Sequence, residues 1–251
     1  MIQKKIHYCW FGGSEFPEIV EKCIESWKTF CPEYEIIRWD ESNYDVNKIP
    51  YIKQAYELKK YAFVSDYARL DIIYNNGGIY LDTDVELIKP LDELLTYSCF
   101  MGMELIGKVA TGLGFGAEKN NSIVLENLML YHNKDFLINS KMDTTTCVQY
   151  TTELLEKKGL TNENEIQMLN GITILPTDYL CPINIETNKM IITDNTFSIH
   201  HYAASWCSSN ELSRIIKKNL LPIKVKTRKL VNRFFGNEAY DKLIKVVKRM
   251  N

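Results

Sequence analysis

The 251-residue sequence is poor in the features that mark several protein classes. It has seven cysteines, Cys9, Cys23, Cys31, Cys99, Cys147, Cys181 and Cys207, an odd and scattered set with no CxxC pair. That pattern argues against both a disulfide framework and a zinc site, and a reducing cytoplasm is the expected setting. No uninterrupted apolar run approaches the roughly 18 residues of a membrane span, and no basic-then-apolar leader opens the chain. The expectation is neither a transmembrane helix nor a signal peptide. There are no repeats, no low-complexity tracts and no motif that reads nucleic acid. With 45% apolar residues and a net charge of −2, the chain can bury one substantial core, and its length allows one domain or two.

The most informative stretch is Gly77-Gly78-Ile79-Tyr80-Leu81-Asp82-Thr83-Asp84. A glycine turn feeds a short apolar strand that ends in two carboxylates one residue apart. Residues just past the carboxyl end of such a strand sit in the crevice where open α/β sheets bind ligands. If the chain stays extended, Asp82 and Asp84 point to one side and can serve one hard divalent cation. The preceding segment, 51 to 75, reads as one long helix, apolar nearly all round through Tyr61 to Tyr74 and therefore buried. Within it Asp66 and Arg69 share a face at i,i+3, paired with each other or with a polar ligand. Gly77 and Gly78 stop this helix.

Four blocks occur in order: Ile6-His7-Tyr8-Cys9-Trp10-Phe11-Gly12-Gly13, Ser65-Asp66-Tyr67-Ala68-Arg69, the glycine-to-aspartate stretch, and His200-His201-Tyr202-Ala203-Ala204-Ser205-Trp206. Together they resemble glycosyltransferase family 32, the DXD-containing sugar transferases. That family includes yeast mannosyltransferases and bacterial capsule and lipopolysaccharide enzymes, and is distant kin of clostridial toxin glucosyltransferase domains. The likeness spans about residues 4 to 206.

The resemblance implies a GT-A type nucleotide-diphospho-sugar transferase fold: α/β, with a mixed, mostly parallel sheet flanked by helices. It places Cys9 and Trp10 in the donor pocket, with Trp10 stacked on the nucleotide base. Ser65, Asp66 and Arg69 would hold the donor sugar and phosphates. Asp82 would bridge ribose or sugar and the metal shell, Asp84 would ligate the metal, and His201 would complete that site. Adjacent residues on a strand face opposite ways, so only one of His200 and His201 can do so. Ser205 and Trp206 would close over the diphosphate. Asp82, Asp84 and Arg69 are the expected catalytic residues and Mn²⁺ or Mg²⁺ the expected cofactor. The implied reaction moves a hexose, with retention, from a nucleotide-sugar to a glycan or lipid-linked acceptor in surface polysaccharide synthesis. UDP-galactose, UDP-glucose and their N-acetyl relatives fit as donors, and GDP-mannose is compatible.

Elsewhere the chain alternates strand and helix: strands at 5 to 10, 34 to 39, 85 to 88 and 100 to 103, that at 85 to 88 continuing the sheet beyond the aspartates, and helices at 17 to 30 and 121 to 132. Gly112-Leu113-Gly114-Phe115-Gly116 reads as a tight sheet segment beside the sugar pocket, and Thr144-Thr145-Thr146 as a helix cap. The division expected is a transferase domain over 1–210 and a basic amphipathic helical segment over 211–251. The latter carries 12 Lys or Arg against 3 acidic residues, a net of +9, which leaves −11 on the rest. Such helices either dock on an anionic membrane surface, here the inner face of the cell membrane, or pack on the acidic body. Two other classes compete: a haloacid-dehalogenase-like phosphatase using Asp82-Thr83-Asp84-Val85, and a catalytically silent sugar- or membrane-binding protein.

Overall fold

The computed structural model describes residues 1–184 and 189–203, so Ser205, Trp206 and the basic segment 211–251 lie outside the described residues. Strand β1 (Lys5–Cys9) leads into helix α1 (Glu18–Phe30), which follows Pro17 at its N-cap. Glu18 and Glu21 in the first turn and Lys28 in the last complement its dipole, and Val20, Cys23 and Trp27 anchor it in the core. After β2 (Glu35–Trp39) come α2 (Pro50–Glu57) and α3 (Tyr61–Asn76). Strands β3 (Gly78–Tyr80), β4 (Val85–Leu87), β5 (Cys99–Leu105) and β6 (Lys108–Ala117) follow. Helix α4 (Ser122–His132) is capped by the Asn121 side chain, which accepts from the Ile123 and Val124 N–H groups. A hairpin of β7 (Leu137–Ile138) and β8 (Lys141–Met142) precedes α5 (Cys147–Glu156), whose cap is Thr146, as expected for the threonine run. The remaining elements are β9 (Gln167–Leu169), β10 (Ile172–Leu175), α6 (Thr177–Leu180), β11 (Ile183–Asn184), β12 (Lys189–Met190) and β13 (Ser198–His200).

The central sheet runs β2-β1-β3-β6-β5-β10-β9. Following its pairings, five of its seven strands point one way, and β6 and β9 run against them. This is the mixed, mostly parallel sheet expected. Alternate residues of β5 divide between two cores: Cys99, Met101 and Met103 join one, Phe100 the other. The first core holds α2, α3 and α4 side chains, and the second holds Trp27 of α1 with Leu180 of α6.

Two expectations are corrected. The segment 51 to 75 is two helices rather than one. Lys60 N–H donates to Ala55 O and Lys59 N–H to Tyr56 O, both at 2.8 Å. This is a Schellman cap with Lys59, at φ 56°, in the left-handed position that glycine usually fills. Second, β4 does not extend the central sheet. It pairs antiparallel with β13 in a separate two-stranded ribbon, His200 opposite Val85.

Candidate active site

The helix α3 is buried where it matters: Asp66 is 8% and Arg69 4% exposed. Gly77, at φ 68°, ends it and turns the chain into β3. Past β3, Val85 N–H donates to Asp82 O at 3.0 Å, so Asp82-Thr83-Asp84-Val85 is a closed turn rather than the extended strand pictured from sequence. The turn still gathers the two carboxylates. Asp82, Asp84 and His200 offer ligand atoms that all lie within 4.8 Å of one another, and the two aspartate side chains keep 27% and 15% exposure. A solute therefore reaches them.

Arg69 organises the other half of the site. Its Nη2 lies 3.1 Å from Asp66 Oδ1 and 3.1 Å from Asp82 Oδ1. Its Nε donates to the Ser65 carbonyl at 3.1 Å, and its guanidinium stands 5.0 Å from the Tyr80 ring centroid. Tyr80 OH donates to Asp82 Oδ1 at 3.0 Å. Burial alone would lower the Arg69 pKa, but Asp82 and Asp66 reverse that and hold it well above the ordinary value. Burial pushes Asp82 and Asp66 upward, and Arg69 offsets only part of the cost. Asp84 goes the other way. Burial would raise it, yet the His200 contact and the Ala203 N–H, which donates at 2.9 Å, hold it below the usual carboxylate range.

The two adjacent histidines take different partners. His200 Nε2 is 3.2 Å from Asp84 Oδ1. His201, the expected third ligand, is turned away: its Nε2 is 2.7 Å from Glu86 Oε2, which Lys22 also meets at 3.0 Å. The backbone explains the choice, since the β4–β13 register sets His200 opposite Val85, and His201 N–H donates to the Asp84 carbonyl at 3.0 Å.

Cys9 lies at the end of β1, buried against Ser65 and Tyr80, and burial pushes its thiol up to about 12. Trp10 is half-buried just beyond, its Nε1–H donating to Ser14 O at 2.8 Å and its ring edge-on to Phe16 at 5.0 Å. Thus Cys9, Ser65, Asp66, Arg69 and Asp82 gather around one centre, with Asp84 and His200 on its far side. The residues missed from sequence are Tyr80, Thr111 and Cys147. Tyr80 shares a strand face with Asp82 at i,i+2, a signal that was available. Thr111 accepts from Arg69 Nη1 at 3.4 Å, and Cys147 Sγ accepts from the same nitrogen at 3.7 Å. Both arrive from distant elements with no local signature.

Three comparisons bear on this arrangement. Residues 17–101 match the model of the glycosyltransferase sugar-binding region containing a DXD motif, a span that includes Asp66, Arg69, Asp82 and Asp84. The chain is 26% identical over 238 residues to an uncharacterized glycosyltransferase of Acanthamoeba polyphaga mimivirus, covering 87% of this chain and 89% of that protein. It is 35% identical over 104 residues to inositol phosphoceramide mannosyltransferase 3 of Schizosaccharomyces pombe, covering 40% of this chain and 29% of that one. Among solved structures, the PaToxG glycosyltransferase superposes with a TM-score of 0.50 at 20% identity, over 63% of this chain and 69% of that one.

Proposed function

We propose that this chain, a glycosyltransferase of the DXD-containing kind, moves a hexose from a nucleotide-sugar, a UDP-sugar by preference, to a glycan or lipid-linked acceptor with retention of anomeric configuration. Because the chain is a glycosyltransferase, the phosphatase reading of the Asp82-Thr83-Asp84-Val85 turn and the silent-binder reading are set aside. The observation that carries the proposal is the convergence of Asp82, Asp84 and His200 beside the buried Asp66–Arg69 pair.

The residues fit a divalent cation. Two carboxylates and an imidazole converge, and Arg69, shared between Asp66 and Asp82, offsets only part of the negative charge gathered there. Asp84, Asp82 and His200 would hold Mn²⁺ or Mg²⁺, with His200 in the place first given to His201. Bound there, the cation would supply Lewis-acid neutralisation of the departing diphosphate. Arg69 adds fixed donors at the same end of the sugar, and its burial strengthens them by keeping water out. Asp66, braced by Arg69, accepts from sugar hydroxyls. Trp10 offers its indole to the base.

Among the described residues, the carboxylates of Asp66 and Asp82 are both tied to Arg69 rather than free to act as a nucleophile. Attack by the acceptor from the leaving-group side is therefore favoured. The 12 basic residues of 211–251 support a second segment after the transferase domain that docks on an anionic membrane, where a lipid-linked acceptor of capsule or lipopolysaccharide synthesis resides. Among the described residues no helix is long and apolar enough to cross a membrane.

The test is a panel of UDP- and GDP-sugars with Mn²⁺ and with EDTA, read by nucleotide release, followed by NMR of the product anomer. Metal-dependent release from one donor with retained configuration is expected. Release indifferent to EDTA, or an inverted product, overturns the corresponding part of the proposal.

A further inference from the structure

His200 presents one nitrogen to Asp84 and leaves the other without a partner. Nδ1 is buried and meets no hydrogen-bond partner among the described residues. An imidazole that gives Nε2 to a cation carries its proton on Nδ1, and that N–H needs an acceptor. Its neighbours narrow the choice. The Tyr202 ring packs on the imidazole at 4.2 Å between centroids, and the Tyr202 hydroxyl is taken by Cys181 Sγ at 2.9 Å.

Among the described residues, Glu104 is a carboxylate without a partner of its own in whose field His200 lies. It lies near the end of β5, where the pairing with β6 shifts register between Met103 and Leu105, an irregularity that re-aims a side chain. Two residues before it, Gly102 packs against Leu180. Glu104 lies in the electrostatic field of Cys181, Tyr202 and His200. No ion pair or hydrogen bond engages its carboxylate among the described residues. A half-buried carboxylate without a partner is costly, as is an unmatched imidazole nitrogen. The two orphan groups stand in one another's field.

We infer that Glu104 is a positioning residue: it accepts the His200 Nδ1–H through a bridging water and so fixes the ring with Nε2 turned to Asp82 and Asp84. This rests on the cation reading of the proposed function. Carboxylates in this relation to a ligating histidine fix its tautomer and ring orientation, and their loss weakens metal binding by about 10- to 100-fold.

The test is a Mn²⁺ titration followed by EPR on the full chain, comparing wild type, Glu104→Gln, Glu104→Ala and Asp84→Ala, with folding checked by circular dichroism. Wild type should bind one Mn²⁺ through Asp84, Glu104→Ala should bind roughly 10- to 100-fold more weakly, and Glu104→Gln, which keeps an acceptor oxygen, should fall between. Wild-type affinity in both Glu104 variants, with Asp84→Ala impaired, overturns this inference alone. Lack of any Asp84-dependent binding overturns the cation reading and this inference with it. Using Glu104→Gln guards against a variant that merely fails to fold.

Discussion

Gly112 and Asp82 compete for one space: a Cβ placed on Gly112 would lie 2.3 Å from Asp82 Oδ2 and 3.2 Å from Arg69 Nη1. Strand β6 therefore passes the site as bare backbone, and Asp82 N–H donates to the Gly112 carbonyl at 3.2 Å. Gly112→Ala should push the Asp82 carboxylate aside. A misplacement of about 1 Å costs on the order of 100-fold in turnover, and nucleotide-release assays should show that loss. The accompanying strain, about 1–3 kcal/mol, should leave a folded protein by circular dichroism. Full activity in Gly112→Ala would mean that Asp82 does not need its present place.

Arg69 holds Asp66 and Asp82 with one nitrogen and reaches Ser65 and Thr111 with others. A lysine keeps the charge but not the fork. Arg69→Lys should lower kcat/KM by roughly 100- to 1000-fold while the protein stays folded. Arg69→Ala, which strands the buried Asp66 carboxylate and the half-buried Asp82 one, should cost about 3 kcal/mol in urea unfolding. Equal stability of the alanine variant and wild type would show that the ion pairs are solvated.

His7 links three elements. It is fully buried, with Nε2 at 3.0 Å from Gly77 O, and its Nδ1 accepts from Trp39 Nε1–H at 3.0 Å. Burial drives its pKa from 6.5 down to about 4, so the folded state requires the neutral ring. The unfolded chain takes up the proton near pH 6.5 and the folded one only near pH 4. The stability is thus whole above the higher value and is lost as pH falls through that window, by about 3 kcal/mol in all. Urea unfolding at about pH 7 and about pH 5 should show a shallower decline for His7→Gln than for wild type. Identical declines would remove His7 from the account.

Much of the site was legible because it is local. Asp66 and Arg69 lie on one helix, and Asp82 and Asp84 on the turn just past the short strand that the glycines start, so the spacing of each pair was visible. The choice between His200 and His201 was not, because strand alternation says that one faces the site without saying which. The β4–β13 register decides it, and that register is a tertiary fact. Glu104, Thr111 and Cys147 were hidden for the same reason: each reaches the centre from an element far along the chain.

The break between α2 and α3 escaped for a different reason. Its stop signal is normally a glycine, and Lys59 adopts φ 56° in its place. That conformation costs a residue with a Cβ about 1 kcal/mol, so Lys59→Gly should raise the thermal midpoint by about 2–4 °C. A lower midpoint would show that Lys59 makes contacts which outweigh the strain.

The central claim is that Asp84 and His200, rather than His201, serve the cation on which transfer depends. Mn²⁺-dependent nucleotide release should be measured side by side for wild type, Asp84→Asn, His200→Ala and His201→Ala. The first two variants are expected to lose roughly 100-fold or more, and His201→Ala, which removes only a partner of Glu86, to stay within a few-fold of wild type. A His201→Ala enzyme that is inactive beside an active His200→Ala enzyme overturns the assignment.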